Sequence, residues 1–206
     1  MGHVSEPTFV TLHALRIKGF AKVDVVADVA GHPEDLVLQH LQAFLATEWT
    51  AFREQRGLWQ LTPAGREAHR TALEADVSAA SLPSGFGSRY EVFLELNLAF
   101  KGLCGDWQLR DGQPNDHSNS AYDRQVIDRL LKLDDDAQPI VSTMAQALGR
   151  LGPYSPRLSR SRERLLGGQT NMFTGVMCGS YHDVWMELHE DLILTQGIDR
   201  SAEGSF

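Results

Sequence analysis

Val23-Asp-Val-Val-Ala-Asp-Val-Ala-Gly-His-Pro-Glu-Asp-Leu-Val-Leu-Gln-His-Leu-Gln-Ala-Phe-Leu45 decides the reading of this chain. Its apolar positions Val25, Val26, Val29 and Ala30 recur at three- and four-residue steps and stop at Gly31, a flexible turn residue. Pro33 then stands at a first helical position, with Glu34 and Asp35 where the positive end of a helix dipole favours carboxylates. Leu36, Val37, Leu41, Phe44 and Leu45 carry a second apolar stripe to about Glu48. Two short helices joined by a tight turn are therefore expected, the second with a polar outer face.

Working outward, Leu12, Leu15, Ile17 and Phe20 put a further helix before this pair. After it, residues 49–61 read as two short strands around Arg56-Gly57, a hairpin. Thr62 then caps a helix that starts at Pro63. From Ser78 to Ser88 the composition turns to Ser, Ala, Gly and Pro, a linker signature. Beyond it, apolar periodicity predicts helices over 90–104, 122–133, 139–151, 156–166 and 181–195. The expected fold is mainly α, with residues 1–77 as one domain, 78–88 as a linker and 89–206 as an all-α helical bundle.

Gly31 to Leu45 followed by Gly57-Leu-Trp-Gln-Leu-Thr-Pro-Ala-Gly-Arg66 resembles the winged helix-turn-helix of MarR-type and related bacterial transcription regulators, in which the hairpin forms the wing. Asn115-Asp-His-Ser118 and Tyr181 to Asp191 resemble a C-terminal region associated with the same type of winged-helix protein and with phosphoenolpyruvate-utilising enzymes. The first resemblance covers about a third of the chain. It implies double-stranded DNA as a partner, with the second helix of the pair in the major groove. His32, Gln39, His40 and Gln42 are the candidates to read bases, and Arg53 and Arg56 on the hairpin to meet phosphate. Residues 33–48 hold no Lys or Arg, a departure from the usual groove-reading helix. A winged-helix interaction module that has left DNA behind is the alternative.

The charge of the whole chain is −8. Residues 1–72 carry eight acidic and seven basic side chains, so only −1 lies there. This excludes a surface dedicated throughout to nucleic acid and fits a near-neutral docking domain joined to an acidic one. In the second domain Asn97, Trp107, Arg110, His117, Tyr181, His182, Trp185 and His189 are the candidates to line an effector pocket, as polar groups or aromatics within apolar stripes. Arg157, Arg160, Arg162 and Arg164 read as a solvated basic face.

No phosphate loop, nucleophile elbow or dinucleotide fingerprint occurs, so neither catalysis nor a cofactor is expected, an enzyme using His182, His189, His117 and Asp116 being the weaker option. His182 and His189 sit two turns apart on a helix, too far for one metal ion, and the two cysteines lack zinc spacing. With no leader-like start and no apolar run of membrane length, a soluble cytoplasmic protein is expected, homodimeric if it reads palindromic DNA.

Overall fold

The structure, a computed structural model, describes residues 2–198. It is mainly helical with a small three-stranded antiparallel sheet. Contacts divide the chain into two compact units. The first gathers the described residues of Met1–Pro83, Ala145–Pro153 and His189–Phe206, the second Ser84–Met144 and Tyr154–Leu188.

The first unit opens with α1 (Pro7–Lys18), β1 (Phe20–Ala21), α2 (Val23–Ala30) and α3 (Glu34–Ala46), followed by β2 (Thr50–Arg53), β3 (Leu58–Leu61) and α4 (Pro63–Ala80). α2 begins with Asp24 in its first turn and ends at Gly31, whose φ of 66° is open to glycine. A side chain there would also meet Pro153 Cγ at 2.7 Å. β3 lies between β1 and β2, pairing Phe20 with Gln60 on one edge and Thr50 with Leu61 on the other. Leu12, Leu15, Val26, Val37, Leu41, Phe44, Trp59 and Leu61 close into one core beneath these elements. Thr62 caps α4 as expected, its Oγ1 accepting from the Gly65 amide at 3.0 Å. Gly65 itself is pressed against the strand entrance, where a Cβ would lie 1.9 Å from the Trp49 carbonyl oxygen.

Two distant segments join this unit. His3 pairs with Leu148 in a parallel bridge, and the Gly149 amide donates to the His3 carbonyl at 2.9 Å. Arg150 follows in a 3₁₀ turn, Gly149–Leu151, and the second half of α9 (Tyr181–Gln196) supplies Asp191 and Thr195. The Arg150 side chain is 1% exposed. Its Nε donates to Asp76 Oδ2 at 3.3 Å, its Nη2 to Thr195 Oγ1 at 2.6 Å, and its Nη1 to Asp191. His13 Nε2 lies 3.1 Å from both Arg150 Nη1 and Asp191 Oδ1, while its Nδ1 shares a 2.8 Å hydrogen bond with His69 Nε2. His3 Nε2 completes the chain at 2.6 Å from Asp76 Oδ1.

Burial drives the protonation states in this network. Burial, and then the neighbouring His13, push His69 down to about 3; burial likewise lowers His13 against the pull of Asp191. Burial alone would raise Asp191, but Arg150 and His13 overcome it and hold the carboxyl well below the usual range.

The second unit is built from α5 (Phe86–Gln108), the two-residue strands β4 (Leu109–Arg110) and β5 (Gln113–Pro114), α6 (Ser120–Ala147), α7 (Tyr154–Leu166), α8 (Asn171–Thr174) and the first half of α9. α6 corrects the expectation of separate helices over 122–133 and 139–151. It runs unbroken through Pro139, because Val126, Leu130, Leu133, Ala137, Val141 and Met144 form one buried stripe on both sides of it. Tertiary burial along that stripe outweighs the backbone hydrogen bond that proline removes.

The basic face expected on α7 is corrected at two of its four positions, Arg160 and Arg164 being exposed. Arg157 is buried and paired with Glu187 at 2.6 Å, and Arg162 donates to the fully buried Asp134 at 2.7 Å. The expected 78–88 linker shrinks to the break between α4, which ends at Ala80, and α5, which starts at Phe86. Residues 145–153 and 189–198 group with the N-terminal segment, where the sequence suggested one continuous C-terminal domain. No helix among the described residues is long and apolar enough to cross a membrane.

Candidate nucleic-acid interface

α3 has a buried stripe, Val37, Leu41 and Phe44, and a solvent face opposite it. Glu34, Asp35, Leu38, Gln39, Gln42, Ala43, Leu45 and Ala46 are exposed on that outer side. Gln39 and Gln42 therefore stand where the sequence put them, three residues apart and clear of the core. Asp35 Oδ1 accepts from the Leu36 amide at 2.9 Å, which ties it to the first turn.

His32 and His40 do not share this face. His40 is half-buried, with Nδ1 hydrogen-bonded to Thr11 Oγ1 of α1 at 2.8 Å. Burial, and then the nearby His32, lower its basicity, so it braces α3 as a neutral ring. His32 is half-buried too, and its Nε2 is shielded from solvent without a hydrogen-bond partner in the protein.

On the hairpin, residues 54–56 form a 3₁₀ turn closed by Gly57. Arg53 and Arg56 are both exposed beside it. Arg53 Nε donates to Gln60 Oε1 across the strand pair at 2.9 Å, which orients the guanidinium. Arg56 lies at the tip.

The surface between helix and hairpin is more apolar than the sequence led one to expect. Leu38, Leu45 and Phe52 are 37%, 44% and 40% exposed. Together with Gln42, Lys22 and Trp59 they line a groove of about 710 Å³. A signal for it does exist in the sequence: Leu38 and Leu45 are seven residues apart and out of phase with Val37, Leu41 and Phe44. Yet a leucine at a helical step fits either side, so periodicity alone assigns Leu45 to the core.

The residues expected around an effector pocket do not come together, and His189 belongs to the first unit. Asn97, Tyr181 and Trp185 are buried core, a correction to their reading as pocket lining. Trp185 Nε1 donates to Asn97 Oδ1 at 2.9 Å, and the Tyr181 hydroxyl donates to Asp134 Oδ1 at 3.0 Å. The rings of Phe93, Phe100 and Tyr181 surround Trp185 at 4.9–6.0 Å. A buried amide satisfied by an indole needs no ligand. Burial and the Asp134 carboxylate push the Tyr181 phenol well above its ordinary value. His182 is half-buried, 6.2 Å from the Phe100 ring, and His189 is buried within the first unit.

The remaining candidates lie around the β4–β5 hairpin. The buried Trp107 ring packs 4.5 Å from His117 and 4.7 Å from Phe173. His117 Nδ1 lies 3.0 Å from Asp123 Oδ2, and Asn115 Nδ2 donates to the same carboxylate at 3.0 Å. Arg110 sits over the Tyr122 ring at 5.9 Å. No group of three or more His, Cys, Asp or Glu among the described residues is arranged to hold a metal ion. Burial pushes the Cys104 thiol up to about 12, far from a reactive thiolate.

Replacing Asn97 by leucine is expected to cost about 1–3 kcal/mol, since the buried Trp185 N–H loses its acceptor. Denaturant unfolding followed by tryptophan fluorescence measures this, and an unchanged midpoint would show that the pair contributes nothing.

No known protein family matches the chain, and no curated protein or solved structure is detectably similar to it.

Proposed function

We propose that this protein is a DNA-binding transcription regulator, not an enzyme, whose first unit is a winged helix-turn-helix. The observation that supports this best is the order α1-β1-α2-α3-β2-β3 with β3 between its neighbours, which leaves the outer face of α3 and the hairpin tip both solvent-exposed. In this reading α3 enters the major groove with Gln39 and Gln42 toward base edges, where a glutamine suits adenine. Arg53 and Arg56 meet phosphate at the adjacent groove. His32 and His40 hold the scaffold and leave bases unread. A small-molecule effector would meet Arg110 over the Tyr122 ring and His117 beside Trp107, both partly exposed.

A gel shift on the gene's own upstream region at low salt tests it. Binding is expected. Arg56→Ala is expected to weaken it on all sequences, and Gln39→Ala to cost about 1–3 kcal/mol on the preferred site alone. Absence of any shift at low salt would overturn the reading.

A second reading is favoured by one observation: the outer face of α3 carries no Lys or Arg and borders the Leu38, Leu45 and Phe52 groove. A winged helix that has given up DNA would use this groove for a protein segment with apolar side chains flanked by cations, complementary to Glu34 and Asp35. Loss of DNA binding together with disruption of complex formation by Leu38→Glu would select this reading.

A further inference from the structure

α5 presents a second seam to solvent. Along its outer side Glu91, Glu95, Leu98 and Gly102 follow at steps of three and four, all exposed, and partly exposed Gly105 continues the series. This is the spacing of one helix face meeting another. Leu98 is 73% exposed at its middle, with Val92 also on the surface. A Cβ added at Gly102 or Gly105 would meet nothing within 4 Å. The fold of a single chain therefore has no packing need for glycine at either position, although glycine weakens a helix interior. Room kept above a helix at that cost points to a second body that approaches closely.

Beside the seam, α5 and α6 enclose a groove of about 370 Å³ floored by Leu103 and Leu133 and edged by Arg129, Lys132 and Asp136. The two helices run antiparallel here. Asp106, near the end of α5, meets Arg129 at 2.7 Å and Tyr122, near the start of α6, at 2.8 Å.

We propose that this face pairs two copies of the chain about a two-fold axis that crosses α5 midway between Leu98 and Gly102. The proposal rests on the regulator reading above and on the expectation of a homodimer, and assigns the contact. An isologous pair places residue i opposite its counterpart on the other side of the axis. Leu98 of each copy then fits over the open helix surface at the other copy's Gly102. Glu95 falls opposite Gly105, at the level of Arg129, and Lys101 falls toward the other copy's Asp136. Glu95 thus approaches Arg129 beside that guanidinium's own pair with Asp106, and each contact forms twice. This self-complementarity of charge favours a second copy over an unrelated partner.

Sedimentation velocity of the full chain without DNA tests the assignment. The wild type is expected to dimerise at micromolar concentration. Leu98→Glu is expected to raise the dissociation constant about 100-fold. Gly102→Leu is expected to weaken pairing while raising thermal stability of the monomer, opposite signs that a merely structural glycine would not give. Glu95→Arg is expected to weaken the dimer, and Glu95→Arg combined with Arg129→Glu to restore it. Circular dichroism confirms that each variant stays folded. A wild type that remains monomeric to about 100 μM, or a dimer indifferent to both Leu98→Glu and Gly102→Leu, overturns the proposal. A gel shift on the same samples separates the two failures: a monomer that still binds DNA loses only this interface, and a dimer that binds none loses only the DNA reading.

Discussion

Replacement of Arg150 by methionine is expected to lower the unfolding free energy by about 3–5 kcal/mol, the largest effect of any single substitution considered for this chain. The guanidinium faces two buried carboxylates, Asp76 and Asp191, and a methionine side chain offers neither of them a donor. Two like charges then remain inside the protein, each without its main partner. Methionine keeps most of the volume, so the loss measures charge and not a cavity. Urea unfolding reads it as a lower midpoint with an unchanged slope. Adding Asp76→Asn and Asp191→Asn to the same variant is expected to recover part of the loss, because the orphaned charges go with their partner. A cost below about 1 kcal/mol for Arg150→Met would show that the network is solvated in solution and holds nothing together.

Acidification is expected to cost stability through the same network. In the fold, His69 titrates at about 3 against an ordinary 6.5, and His13 is also lowered. In the unfolded chain both rings take up a proton near their ordinary value. Between about pH 6.5 and pH 3 the unfolded state therefore binds more protons than the folded one, and stability falls as pH falls. The contribution is complete above the upper limit and lost toward the lower. Asp191, lowered in the fold, acts in the same direction as pH drops through the carboxylate range. A tenfold difference in proton affinity between the two states is worth about 1.4 kcal/mol, so a loss of a few kcal/mol is expected across the window. Unfolding free energies measured from pH 7 to pH 4 for the wild type and His69→Gln check this. The glutamine variant should show the shallower slope. A wild-type profile flat over that range would contradict neutral, buried histidines.

The two effects share a structural consequence. Arg150 and Asp191 come from segments late in the chain, while His13 and Asp76 come from early ones. The network thus helps fasten 145–153 and the end of α9 to the first unit, beside the His3–Leu148 bridge. Nothing in the local sequence marks this. Arg150 and His13 are 137 residues apart and carry no motif. A charged residue in the sequence reads as surface by default, because unpaired burial is so costly, and only the partner's position reverses that default. The pairing of Arg157 with Glu187, 30 residues away, is hidden from the sequence for the same reason.

What lay within one turn or one hairpin was legible. Gly31 ends α2, Thr62 and Pro63 start α4, and Arg56-Gly57 marks the tip between β2 and β3. Gln39 and Gln42 were correctly placed on an exposed face, because a helix of known phase fixes which side faces the core. His40 was not, since its direction depends on Thr11 of another helix. Pro139 shows the converse: a strong local breaker yielded to a stripe of six apolar residues that packs on both sides of it.

The amino-acid sequence by itself determined the N-terminal helices, the 49–61 hairpin and the Thr62 cap, since these follow from backbone preferences and from periods of two and 3.6 within a few residues. Tertiary structure alone decided which charges lie inside, where Leu38, Leu45 and Leu98 meet solvent, and which late segments return to the first unit. Those outcomes depend on pairs of surfaces far apart in the chain, whose desolvation is favourable only when both partners arrive together.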